Sequence, residues 1–153
     1  MADTIREKIV DQIEARFTTI TTGNGYRTSI GDKVSVWRDN PFEPGDVGLD
    51  IRDMGGPIEQ KLANVHEQTL NIEVDVVTAG STTATNVRKM IADVYQAIGT
   101  DRKWNDGSQD LARNTMLTDD AMQISHAGKR VGGATIKFQV IYRTDEFDAE
   151  TRA

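Results

Sequence analysis

The sequence predicts an α+β fold: one mixed or antiparallel sheet of about four to five strands, with two main amphipathic helices packed on one face. Three observations carry this. Apolar residues recur at helical spacing in two separate segments, one at the start of the chain and one near its middle. Several other segments alternate apolar and polar residues, as half-buried strands do. The order is helix, two or three strands, helix, two strands, which makes a two-layer α+β domain.

The first helix has a start signal. Thr4 precedes Glu7 by the capping-box spacing, so its hydroxyl can accept from a free backbone N–H. Ile5, Ile9, Ile13 and Phe17 then recur every four residues, with Val10 and Ile20 widening the stripe, while Arg6, Glu7, Lys8, Asp11 and Glu14 occupy the other side. The "TTITT" run competes for backbone hydrogen bonds and is expected to end the helix near residues 18–20.

"ITTGNGYRTSIG", residues 20–31, puts three glycines in twelve positions and raises the question of a phosphate loop. Such loops sit between a strand and a helix N-terminus, where free N–H groups converge on an anion. Here the order is reversed, because the segment follows a helix and leads into the strand "KVSVWR", and no Gly-Lys-Ser/Thr ending is present. Gly23, Asn24 and Gly25 are read instead as residues that tolerate positive φ in a helix-to-strand reversal.

After "VSVWR" a long loop is expected over about 39–66, broken by Pro41, Pro44, Gly45, Gly55 and Gly56, with "VGLDIRD" as a short strand inside it. "EQTLNIEVDVVTAG" is the clearest strand: Leu70, Ile72, Val74 and Val76 on one face, Asn71, Glu73 and Asp75 on the other. The second helix follows, capped by Ser81 or Thr82, with Val87, Ile91, Val94, Tyr95 and Ile98 at helical spacing and Gly99 as the stop. A polar loop is expected over about 100–118, with Asn-Asp-Gly as a turn. "AMQISHA" and "ATIKFQVIYR" read as strands around a "GKRVGG" hairpin, and neighbouring strands are expected to bring opposite charges to Glu73 and Asp75. A loose C-terminal tail is expected over about 145–153.

The 153 residues suit one domain spanning 1–153. A formal charge of −6 argues against specific nucleic-acid binding, which depends on Lys and Arg neutralising phosphates. No apolar run approaches the roughly 18 residues of a membrane span, and the charged, helix-like N-terminus does not resemble a secretory leader. Cysteine is absent, which removes disulfides and thiolate metal ligands and fits a reducing cytoplasm.

Candidate chemistry is sparse. The two histidines, His66 and His126, fall at expected strand ends, where Glu67 or Asp120 could complete a metal site if the strands were neighbours. Surface histidines are the bland and favoured reading. Ser125 adjoins His126, but adjacent strand residues point to opposite faces, so they form no nucleophile–base pair. Paired acids such as Asp119 and Asp120 are common on surfaces. The expectation is therefore a protein that is not an enzyme, with no cofactor and no metal. The large apolar residues Phe42, Met54, Trp104, Met116 and Leu117 lie in segments read as polar loops; each either folds back as satellite core or serves as an assembly interface.

"IREKIVDQIEARFTTITTGNGYRTSIG", the "VSVWR" strand, "LDIRD" and "LNIEVDVV" leading into a helix together resemble the tail terminator (tail completion) proteins of long-tailed bacteriophages. The match runs from about Ile5 to Ile98, "ATIKFQVIYRTD" is also in character, and "ITTGNGYRTSIG" is its most distinctive part. The chain lacks the Leu-Pro that often begins the "LDIRD" strand in relatives, and residues 100–118 do not align. The resemblance implies a structural virion subunit, assembled in the bacterial host cytoplasm, that forms a hexameric ring on the tail. The ring caps the tail tube protein, ends polymerisation and presents a surface to the head–tail connector protein; a monomer in isolation is compatible with it. Six copies would carry about −36 formally, and Glu73 and Asp75 would be candidate channel-facing acids that keep passing DNA from sticking. Two alternatives stand beside this one: another neck or head–tail joining protein, and a small metal-dependent hydrolase using His66 and His126.

Overall fold

The computed structural model describes residues 3–61, 63–80, 82–125 and 131–153. It is an α+β domain with one mixed sheet of six strands and two α-helices. In chain order the elements are α1 (Ile5–Phe17), β1 (Val34–Val36), β2 (Gly48–Gly55), β3 (Ile58–Lys61), β4 (Val65–Ala79), α2 (Thr83–Gly99), β5 (Asn114–Ser125) and β6 (Val131–Asp145). The sheet order is β1-β2-β4-β6-β5, with β3 also pairing β4. Among the described residues β1 and β2 run parallel, and the other strand pairs are antiparallel.

Strand alternation builds the core directly. Leu70, Ile72, Val74 and Val76 of β4 pair with Val140, Phe138, Ile136 and Ala134 of β6, and all eight are buried on the helix-covered face. Leu49 and Ile51 of β2 join the same rows. α2 lies across β4 and β6 and reaches β5, while α1 lies beside it toward β1. Ile5, Ile9, Ile13 and Phe17 of α1 are fully buried, each worth about 1.5–3 kcal/mol relative to exposure. The Phe17 ring meets Phe138 edge-on at 6.4 Å between centroids.

The capping residues behave as their chemistry requires at the start of α1 and less so at α2. The Glu7 N–H donates to Thr4 Oγ1 at 3.0 Å, and α1 ends at Phe17, just before the threonine run. Thr82 is the N-cap of α2, but its side chain makes no capping bond; Ser81 lies outside the described residues. α2 ends at Gly99 as expected.

Three expected irregular segments are more ordered than composition suggested. Residues 39–66 hold β2, β3 and the start of β4, because Ile58–Lys61 turns back to pair with Val65–Gln68. The loop after α2 is shorter than 100–118, since β5 begins at Asn114 and pairs with β6 as far as Val131. The tail over 145–153 is pinned rather than loose. The Asp145 N–H donates to the Thr151 carbonyl, the Ala153 N–H to Arg143, and the Ile5 N–H to Ala149.

Segment 20–31 is a connector with a short 3-10 turn, Thr22–Asn24. Of the three residues read as tolerating positive φ, Gly25 is the one that adopts it, at φ 86°. Gly31 is required for another reason: a Cβ there would stand 2.6–2.7 Å from the carbonyl oxygens of Thr18, Ile20 and Phe17. The loop thus presses directly on the end of α1.

Candidate assembly surface

The sheet face away from the helices is polar and internally paired. Arg52 of β2 reaches Asp75 at 2.6 Å and Glu73 at 3.4 Å, and Lys137 of β6 reaches Glu73 at 3.7 Å. Thr135 donates to Asp75 at 2.7 Å, Gln139 to Asn71 at 3.1 Å, and Arg143 to Glu67 at 2.8 Å. The opposite charges expected around Glu73 and Asp75 are present, which qualifies their reading as free channel acids. Each already has a cation partner within the chain, which offsets most of its field at short range. The Arg143 bond also holds the Glu67 carboxyl below the usual carboxylate range.

The five apolar residues singled out from the sequence divide by environment. Trp104 belongs to the core, not to a surface: it is fully buried, stacked on Phe138 at 6.5 Å, with its indole N–H donating to Thr115 Oγ1 at 2.8 Å. A ring with one N–H is comfortable there because Thr115 supplies the acceptor. Phe42 is half-buried under Arg38, whose guanidinium carbon lies 4.2 Å from the ring centroid. It walls an open cavity of about 620 Å³ over the small residues Ala121 and Gly133. Met54, Met116 and Leu117 are exposed. Met116 pairs with Gln139 on the open face and Leu117 with Phe138 on the helix side, so the free edge of β5 carries one apolar side chain on each face.

The structure adds exposed apolar residues that strand patterning did not single out: Trp37, Ile58 and Phe147. Trp37 follows β1 at φ 48° and donates its indole N–H to Asp53 at 2.7 Å, on the helix side of the sheet. Phe147 stands edge-on to His66, 5.0 Å between centroids.

Of the two histidines considered for a metal site, only His66 lies among the described residues. His66 pairs with Thr144 at one end of β6, whereas Ser125, the residue before His126, pairs with Val131 at the other. Val131 in turn lies beside Ala79 of β4, so the two ends are roughly 40 Å apart by strand rise. His126 itself lies outside the described residues. The proposed third ligands are also engaged, Glu67 by Arg143 and Asp120 by the Tyr95 hydroxyl. No group of three or more His, Asp or Glu able to hold a metal occurs among the described residues.

Sequence reasoning missed the residue that seats segment 20–31. Asp93 of α2 is fully buried, and its carboxylate accepts the backbone N–H of Arg27 at 3.0 Å and of Thr28 at 2.8 Å. The Thr28 hydroxyl and the Arg27 guanidinium add bonds at 2.7 and 3.3 Å. The available signal was an acid inside the apolar stripe of α2, between Met90 and Ala97.

With this geometry in view, the chain was compared with known proteins. No profile of a known protein family matches it, and no curated protein matches its sequence.

Proposed function

We propose that this chain is a virion assembly protein that caps a phage tail tube as a ring, ending tube polymerisation and offering a surface for head attachment. The observation that carries the reading is the run from Ile20 to Gly31 in its setting after α1 and before β1. This is the most family-like stretch of the sequence, and a buried carboxylate on α2 anchors it. An assembly role asks for interfaces more than reactive side chains. The exposed Trp37, Met54, Met116 and Leu117 supply apolar anchors on strands and strand exits.

Capping is a difference between two faces of one subunit: one complements the last tube ring, and the other recruits no further tube subunit. The experiment is electron microscopy of particles assembled without this protein. Tails of uncontrolled, excess length support the capping role. Tails of normal length left unattached to heads would instead assign the chain to head–tail joining.

A further inference from the structure

The sheet has one long open edge. β5 ends the strand order and has twelve residues, longer than most strands in globular proteins. At the opposite margin the strands are short, with three residues in β1 and four in β3. A long edge offers a row of unpaired N–H and C=O groups to any extended chain, whereas a very short one holds few. Unwanted strand pairing is therefore a problem for β5 in particular.

Its side chains add to that problem. On the helix side, Thr115, Leu117, Met122 and Ile124 stand opposite Val140, Phe138, Ala134 and Gly132 of β6. Met122 and Ile124 pack on the core, and Leu117 is exposed. A regular strand carrying this row would be a template for another strand.

The middle of β5 breaks the pattern in three ways. The register slips between Leu117 and Asp119, which leaves Thr118 as an extra residue, and the Thr118 hydroxyl donates to the Lys137 carbonyl at 3.1 Å. Such a bulge bends and twists the strand, so a straight partner cannot keep its ladder bonds across it. Asp120 pairs with Ile136 and so interrupts the apolar row between Leu117 and Met122, and the Tyr95 hydroxyl of α2 donates to its carboxylate. Asp119 lies on the open side opposite Lys137, whose ammonium is 3.7 Å from Glu73. Both acids are exposed. A strand laid alongside would take water from them, and a second β5 paired about its middle would set acid against acid.

We infer that the centre of β5 is a guard: Thr118, Asp119 and Asp120 together close this edge to strand addition, so copies of the chain do not associate by extending the sheet. The guard acts on backbone pairing and leaves Met116 and Leu117 available for side-chain contacts. It needs no tube and no ring, and it stands or falls apart from the capping role.

The guard can be removed while β5 keeps its pairing with β6. Deleting Thr118 joins Leu117 to Asp119 in regular register, and every other pair of the two strands is retained. Asp119→Thr and Asp120→Val then remove the charges. The native chain and this triple variant are compared by analytical ultracentrifugation and by hydrogen exchange over a rising concentration series, with circular dichroism to establish that both are folded. The inference expects the variant to self-associate about tenfold or more tightly than the native chain. Exchange of its β5 amides should slow as concentration rises, while those of the native chain exchange at one rate throughout. A folded variant that associates no more tightly than the native chain would overturn the inference. So would association that leaves the β5 amides of the variant exchanging freely, or concentration-dependent protection of β5 in the native chain. If the deletion prevents folding, Asp119→Thr with Asp120→Val is measured in the chain that keeps Thr118, and the same readings decide.

Discussion

The guanidinium carbon of Arg16 lies 3.8 Å from the centroid of the Trp104 ring. Arg16 sits in the last turn of α1 and donates to the Asp101 carbonyl at 2.6 Å and to the Ala97 carbonyl at 3.3 Å, at the C-terminal end of α2. One side chain therefore joins both helices to the loop that follows α2. Burial pulls the Arg16 pKa below its usual value, but it stays charged throughout the working range. Trp104→Ala is predicted to cost about 3–5 kcal/mol by opening a cavity beside Phe138. Arg16→Lys should be destabilising too, because an ammonium cannot both stack on the indole and serve several carbonyls. Urea midpoints followed by tryptophan fluorescence measure both.

Asp93 is predicted to govern the order of segment 20–31. Asp93→Ala removes the acceptor for two backbone N–H groups, and an unsatisfied buried group costs about 1–3 kcal/mol. Hydrogen exchange at Arg27 and Thr28 should accelerate sharply in the variant, while amides in the centre of β4 accelerate only as far as global stability falls. Unchanged protection at residues 27 and 28 would refute the anchoring role.

Acid should destabilise the fold through named carboxylates. The Arg143 bond holds Glu67 low, against burial. The N–H groups of Asn105 and Lys103 hold Asp101 low, outweighing a burial effect of opposite sign. The N–H groups of Ser108 and Gln109 lower Asp106, and the Thr151 hydroxyl and Glu150 N–H lower Asp148. For a carboxylate depressed on folding, the unfolded chain binds more protons. The stabilisation is full above the unfolded pKa, near 4, and disappears as pH falls through the lower folded values. Urea midpoints at pH about 6 and about 3 should differ, with Arg143→Ala reducing the difference.

Tyrosine ionisation offers a spectroscopic test. Burial, then the bond to Asp120, push the Tyr95 hydroxyl up to about 12. Burial also raises Tyr142. With both folded values above the unfolded one, the neutral forms favour folding below pH about 10, and that support is lost as pH rises through the folded values. Absorbance titration should show Tyr95 and Tyr142 ionising late. Asp120→Asn should bring Tyr95 earlier.

Legibility of the fold followed the physics of each segment. The rows from Leu70 to Val76 and from Ile136 to Tyr142 were readable because period-two alternation on a half-covered sheet leaves a strong signature. β5 was read only from Ala121, because at an uncovered edge both faces can be polar, and "NTMLTDD" therefore looked like loop. β3 was missed for the same reason: three of its four residues are exposed. The apolar loop residues were recognisable as unusual, but no local pattern separates Trp104, which found Thr115 eleven positions away, from Leu117, which stayed at an edge. Asp93 was hidden because a buried acid is satisfied only by tertiary partners, here the backbone of a distant loop.

The central claim is that this subunit acts by occupying the end of a tube as a closed ring. Purified protein incubated with tail tubes and imaged by electron microscopy tests it most directly. The account predicts ring-shaped density at one tube end, and tubes so decorated should fail to elongate when fresh tube subunits are added. Bare tube ends, or decorated tubes that go on growing, would contradict it.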